Sequence, residues 1–246
     1  MDKTFIKWGN GKNVLIFLHY FGGNAVCWKW VAKEISNEFT CIAINLPGFG
    51  NNLSTTHFSI LNFALISKAI IKKLRIKKYS IIGHSMGGKI ALQLAAIDNK
   101  NVYKIILLAP SPPGIELISP DIKLQLLKMP MLEEAAITIN SLIINPLKKS
   151  QFITAVNAQT ETSESVRKWW VNIGSKHSII NQLSKIKCSI VVLGSKSDPA
   201  IPYNLIEIKV MPLLKKSSLI EIENTGHLYP LEAPECIAKW LVKTCK

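Results

Sequence analysis

Along the chain, short apolar runs alternate with segments whose apolar residues recur every three or four positions. Val14–Leu18 (VLIFL) is the first run, and Ala25–Ser36 behind it reads as a helix. Thr40–Asn45 is a second strand, followed by the turn-rich LPGFGNN, and Ser59–Leu74 has helical spacing with Lys68, Lys72 and Lys73 on its polar side. Tyr79–Gly83 and Lys104–Ala109 read as strands separated by a helix over Lys89–Ile97. The rhythm returns late in the chain, with strands Ser189–Leu193 and Ser218–Ile222 and helices Leu205–Leu214 and Pro234–Lys243. Continuous apolar strands alternating with helices predict an α/β fold, a mostly parallel central sheet flanked by helices on both faces.

One segment breaks that pattern. From about Ser111 to Lys185 there is no clear strand, but helical spacing recurs over Ile122–Met129 and Leu132–Ile144. The expected organisation is a core of residues 1–110 and 186–246 carrying a helical lid or cap insertion, 111–185.

Composition narrows the class. With 246 residues, 48% of them hydrophobic, the chain can bury a sizeable core, and no apolar run reaches the ~18–20 residues a bilayer helix needs. The start, MDKTFIKWGNGKN, lacks the apolar stretch of a secretory signal, so a soluble, cytoplasmic protein is expected. Five cysteines without a C-x-x-C pair suggest neither a disulfide framework nor a metal site. The net charge of +14 comes from scattered lysines, with no dense basic run and no nucleic-acid motif. A solvated surface accounts for it, and an acidic protein partner is the alternative.

The chemistry gathers at 79-YSIIGHSMGG-88. Gly83-His84-Ser85-Met86-Gly87 matches G-x-S-x-G where a predicted strand meets a predicted helix. A serine on so sharp a turn is held clear of the sheet, and side chains two residues either side would collide, hence the glycines. The next helix points its N-terminus at the serine, so Met86 N–H can stabilise an oxyanion. A serine nucleophile needs a base, and His227, in the loop NTGHLYPLEAPE after the last strand, is the candidate. Asp198, in the loop SKSDPAIP after the preceding strand, would orient it. His84 reads as a packing residue and Glu232 as a loop anchor. The loop LHYFGGNAVCW after the first core strand supplies a second oxyanion N–H, from Phe21 or Tyr20. Tyr20, Trp28 and Trp169 are candidate substrate-binding residues, with Trp170 and Met129 as further pocket walls.

These motifs, in this order, resemble the α/β-hydrolase fold superfamily: His19 to Gly23, LPGFG, GHSMGG, the Asp198 loop and GHLYPLEAPE. The resemblance implies a Ser85–His227–Asp198 triad, oxyanion donors Phe21 and Met86, and a helical lid. HYFGGNAVCW followed by NLPGFG is most similar to small serine carboxylesterases and haloperoxidase or perhydrolase relatives, and to methyl esterases acting on pimeloyl-carrier-protein esters. Relatives with aspartate at the nucleophile position, the haloalkane dehalogenases and epoxide hydrolases, are set aside because Ser85 cannot replace that carboxylate. Two positions depart from the pattern: Tyr20 where the family usually has glycine, and Asn45 where it usually has aspartate. The implied activity is cleavage of a small-molecule carboxylic ester through an acyl-enzyme on Ser85, with no cofactor and no metal. The alternatives are a carrier-protein-dependent methyl esterase or thioesterase, and a non-catalytic ligand-binding member of the fold.

Overall fold

Seven apolar strands build one sheet in the computed structural model, which describes residues 4–53, 55, 57–129 and 131–245. Residues 1–3, Ser54, Thr56, Pro130 and Lys246, which the expected segments 1–110, 111–185 and 186–246 include, lie outside the described residues. The strands are β1 (Phe5–Trp8), β2 (Asn13–Leu18), β3 (Phe39–Ile44), β4 (Tyr79–His84), β5 (Val102–Leu108), β6 (Ser189–Gly194) and β7 (Ser217–Glu221). Their spatial order is β1-β3-β2-β4-β5-β6-β7, parallel throughout except for the antiparallel edge strand β1. β1 is an element the apolar pattern does not announce. It has four residues, is only partly buried, and pairs through Phe5 with Ile44 and through Trp8 with Cys41.

Among the described residues ten α-helices accompany the sheet: α1 (Lys29–Ile35), α2 (Ile60–Lys73), α3 (Met86–Ile97), α4 (Pro120–Leu127), α5 (Leu132–Leu142), α6 (Lys149–Thr160), α7 (Glu164–Trp169), α8 (Tyr203–Lys209), α9 (Tyr229–Glu232) and α10 (Pro234–Cys245). β3 and β4 are buried at every position, which requires cover on both faces. α1 packs with α10, and α2 with α3. Local chemistry sets the ends. Ser59 Oγ accepts from Asn62 N–H at 2.9 Å to start α2, and Ser119 with Pro120 opens α4. The expected helix Leu205–Leu214 is instead α8 followed by a short 3-10 turn, Met211–Leu213, because Pro212 cannot continue an α-helical ladder.

Between β5 and β6 the regular elements of the described residues are helices only, α4 to α7, followed by a wide π-helical turn at Trp170–Gly174 and a tighter 3-10 turn at Ile180–Lys185. Those helices own a second apolar cluster. Ala135 and Ile139 of α5 and Ala155, Val156 and Ala158 of α6 pack with Tyr20, Cys27, Leu228 and Leu231. This helical segment therefore rests on the stretches that follow β2 and β7. Chain order reverses about β2: β3 lies on one side of it and β4 on the other. The carboxyl ends of β2 and β4 thus meet at a topological switch point, the place where open α/β sheets leave a crevice.

Candidate active site

Ser85 closes β4 with φ 52° and ψ −119°, a left-handed geometry that costs a residue with a side chain roughly 1–3 kcal/mol. The neighbours over-determine it. Its N–H donates to Leu108 O at 2.9 Å, and its carbonyl accepts from Gly88 N–H at 2.8 Å and Ser111 N–H at 3.0 Å. The flanking glycines are steric requirements. A Cβ on Gly83 would lie 2.6 Å from Gly87 O, and one on Gly87 would lie 2.4 Å from Leu18 O. Met86 opens α3, where a helix leaves its first N–H groups without intrahelical acceptors.

Asp198 and His227 arrive from the carboxyl ends of β6 and β7 and meet as a buried pair. His227 Nδ1 lies 2.9 Å from Asp198 Oδ2 and 3.1 Å from Oδ1. The carboxylate also accepts Ala200 N–H at 2.8 Å and Ile201 N–H at 2.9 Å, so the aspartate is held by its own loop. With Nδ1 committed as a donor to a carboxylate, Nε2 of a neutral His227 is left as the basic nitrogen. Its backbone is clamped from two directions: His227 N–H donates to Leu142 O at 2.6 Å, and His227 O accepts from His84 Nε2 at 2.7 Å. Glu232 anchors the same loop. Its Oε1 takes Gly226 N–H at 3.0 Å, Asn145 N–H at 2.9 Å and Ile144 N–H at 3.1 Å.

Two other histidines are buried and neutral for identifiable reasons. His19 Nδ1 bonds Tyr20 O at 2.8 Å and must be the donor, while Nε2 accepts Leu46 N–H at 3.1 Å. A second proton would face an N–H, and burial lowers the imidazole to about 4. Burial also lowers His84 well below its ordinary range, with nearby His227 acting in the same direction. His84 is enclosed by the rings of Tyr20, Trp28, His227 and Tyr229. His57 and His177 are exposed.

A cavity of about 400 Å³ joins the pieces. Ser85, His227, Tyr20 and Phe21 line it, together with Trp170 and Gln159 from the helical segment. Glu116 also faces it, and burial raises this carboxyl above its ordinary value. Phe21 N–H makes no backbone hydrogen bond among the described residues. The Phe21 ring stacks on Trp170 at 6.2 Å, which fixes the loop between the two.

Three expected pocket residues lie outside the cavity lining. Trp28 is fully buried against Phe17 (ring centroids 4.8 Å apart) and does not reach the cavity. Trp169 faces Phe63 and Phe58 in the main core; its neighbour Trp170, turned about 100° further round the helical axis, presents its ring to the cavity instead. Met129, the further expected wall, is half-exposed and does not line the cavity either. Tyr20 does line it, and its ring is also a cornerstone of the insertion's apolar cluster. Gly23 leaves that ring its room, since a Cβ there would lie 2.6 Å from Tyr20 Cε1. Asn45 is a brace: its Oδ1 accepts Ala25 N–H at 2.6 Å, just beyond the loop that follows β2. Gln159, Leu142 and Glu116 carry no motif of their own, and only the packing of the helical segment brings them here.

A profile of the family described as alpha/beta hydrolase fold matches residues 13–137. Over 104 residues, 42% of this chain, the sequence is 31% identical to the pimeloyl-[acyl-carrier protein] methyl ester esterase of Proteus mirabilis. That match spans 39% of the relative's length. Among solved structures, an esterase from Exiguobacterium antarcticum superposes with a TM-score of 0.87 over 97% of this chain and 93% of that one, at 18% identity. A bromoperoxidase from Bacillus anthracis gives 0.85 over 97% and 93%, at 13% identity. At such identities the structural likeness speaks for the fold alone.

Proposed function

Because the chain belongs to the alpha/beta hydrolase fold family, we propose that it is a serine-dependent carboxylic ester hydrolase working through an acyl-enzyme. The observation that carries this reading is the buried His227–Asp198 pair, clamped through its backbone and opening onto the same cavity as the strained Ser85. In the first step Ser85 Oγ attacks the ester carbonyl while His227 Nε2 takes the hydroxyl proton. Asp198 holds the ring and offsets the positive charge of the imidazolium. The N–H groups of Phe21 and Met86 receive the oxyanion. The tetrahedral intermediate collapses, the C–O bond to the alcohol breaks, and the departing alkoxide takes the proton back from His227. Water, deprotonated by the same histidine, then attacks the acyl-serine; the acid leaves and Ser85 regains its proton.

Labelling with a fluorophosphonate and turnover of a p-nitrophenyl ester series test the proposal together. Ser85→Ala should abolish labelling and lower kcat by at least about 1000-fold, His227→Ala should match that loss, and the double variant should be little worse. Undiminished turnover by Ser85→Ala would sink the acyl-enzyme. A wild type that neither labels nor turns over would favour a binding protein built on this fold. A narrower reading, an ester carried on an acidic protein, draws support from the Proteus mirabilis relative's name and the net charge of +14.

A further inference from the structure

Arg167 is only 2% exposed, yet the oxygens it donates to are all neutral: Gln159 O, Gln159 Oε1 at 3.2 Å, Thr162 O at 3.4 Å and Leu126 O at 3.5 Å. Burying a guanidinium without a carboxylate is unfavourable unless the charge has a use nearby. Burial lowers its pKa to about 10, so it remains charged at neutral pH. Its guanidinium carbon lies 5.8 Å from the centroid of Phe21, the residue at the turn of the oxyanion loop.

The second consequence concerns Gln159. A guanidinium has donors and no acceptor, so the amide end facing Arg167 must be the oxygen. The NH2 end is thereby turned away from the arginine. Arg167 does not line the cavity, whereas Gln159 does, as do Ser85 and Phe21. The amide lies flat over Gly22. A Cβ there would fall 2.3 Å from Gln159 Nε2 and 2.5 Å from both Cδ and Oε1, and Gly22 has φ +83°. Only glycine at this position lets a helical-segment amide touch the oxyanion loop.

Building on the ester-hydrolase reading, we propose that Gln159 is a catalytic donor contributed by the insertion: its amide N–H joins Phe21 and Met86 N–H around the substrate carbonyl oxygen. Arg167 is its positioning residue, fixing the amide's orientation and adding positive potential where the oxyanion develops. The oxyanion pocket is then complete only when α6 and α7 are seated on the core.

The test compares Gln159→Glu, Gln159→Met and Arg167→Met with the wild type, as kcat per fluorophosphonate-titrated site, KM, and inhibition by a trifluoromethyl ketone that mimics the tetrahedral oxyanion. Gln159→Glu keeps an acceptor for Arg167 and preserves the packing while removing the donor. It should lower kcat by about 100-fold, and Gln159→Met by about 10-fold or more, with KM within about threefold of wild type. Ketone affinity should fall in proportion to kcat. Arg167→Met should reproduce the Gln159→Met loss, and combining the two should add little. A packing role would move melting temperature but leave kcat per titrated site and ketone affinity alone. A Gln159→Glu variant that labels normally and keeps kcat and ketone affinity within twofold overturns the donor. A wild type that neither labels nor turns over overturns the hydrolase reading itself, and the donor with it.

Discussion

His19 shows how one buried side chain ties loop geometry to pH. It bridges the loop after β2 and the LPGFG turn only as a neutral ring, donating to Tyr20 O and accepting from Leu46 N–H. The unfolded chain takes up a proton near 6.5, which the folded chain refuses until about 4. Stability from this group is therefore fully present above about pH 6.5 and is lost as pH falls towards 4, a loss of about 3 kcal/mol. His84, lowered by the same burial, acts in the same direction. Urea denaturation at pH 7, 5.5 and 4.5 should show this fall. A His19→Asn variant, whose amide can still donate to Tyr20 O, should start less stable but lose less on acidification. An equal loss in both would remove His19 as the cause. At this scale the sharp turn at Ser85 was legible in the sequence, because Gly83 answers contacts within a few residues, Gly87 and α3 itself. The close approach of Gly87 to Leu18 O was not, since it crosses between strands. Trp28 and Trp169 were not, because whether a tryptophan faces a pocket or the core depends on the neighbour that covers it.

Among the elements, the short helix α9 and the end of α5 work as a pair. Glu232 of α9 receives the N–H groups of Ile144 and Asn145 beyond α5 and that of Gly226 in the His227 loop, while Leu142 O takes His227 N–H. Removing the carboxylate frees three backbone donors at once. Glu232→Ala should lower the melting temperature by roughly 5 °C, corresponding to about 2 kcal/mol, and lower kcat about tenfold with little change in KM. Thermal unfolding and steady-state kinetics check the two halves, and an unchanged kcat would mean that the His227 loop stands without this anchor. Lys89 plays a similar part on α3, donating to Gly114 O at 2.8 Å and to Ser175 O and His177 O at 3.0 Å. Strand and helix identities over most of the core follow from apolar spacing, since strands buried on both faces have almost no polar positions. β1 escaped because a four-residue edge strand has too few positions to show a period, although the turn-rich GNG after Trp8 was a usable sign.

On the scale of the whole molecule, one cluster of lysines lies far from the candidate site. Lys12, Lys78, Lys100 and Lys187 line an open cleft of about 720 Å³ at the amino ends of the central strands. Ser85 follows the carboxyl end of β4, whose six residues span about 20 Å. That is about two screening lengths at physiological salt, and no lysine or arginine lines the cavity among the described residues. For a neutral p-nitrophenyl ester, raising NaCl from about 50 to 300 mM should change kcat/KM less than twofold. An ester presented on an acidic carrier protein should lose about tenfold or more over the same range if docking uses the basic surface. Equal salt dependence for the two substrates would remove the carrier-bound ester from consideration.

By itself the sequence determined the parallel α/β core, the strand–turn–helix frame of Ser85 and the chain order of Ser85, Asp198 and His227. Each depends on residues close together or on a period repeated along one element. Only the tertiary structure decided which aromatic ring walls the cavity, that Leu142, His84 and Glu232 hold the His227 loop, and that the Gln159 amide lies over Gly22. Those relations join residues scores of positions apart, through packing between separate layers, and helical spacing carries no information about which partner a face will meet.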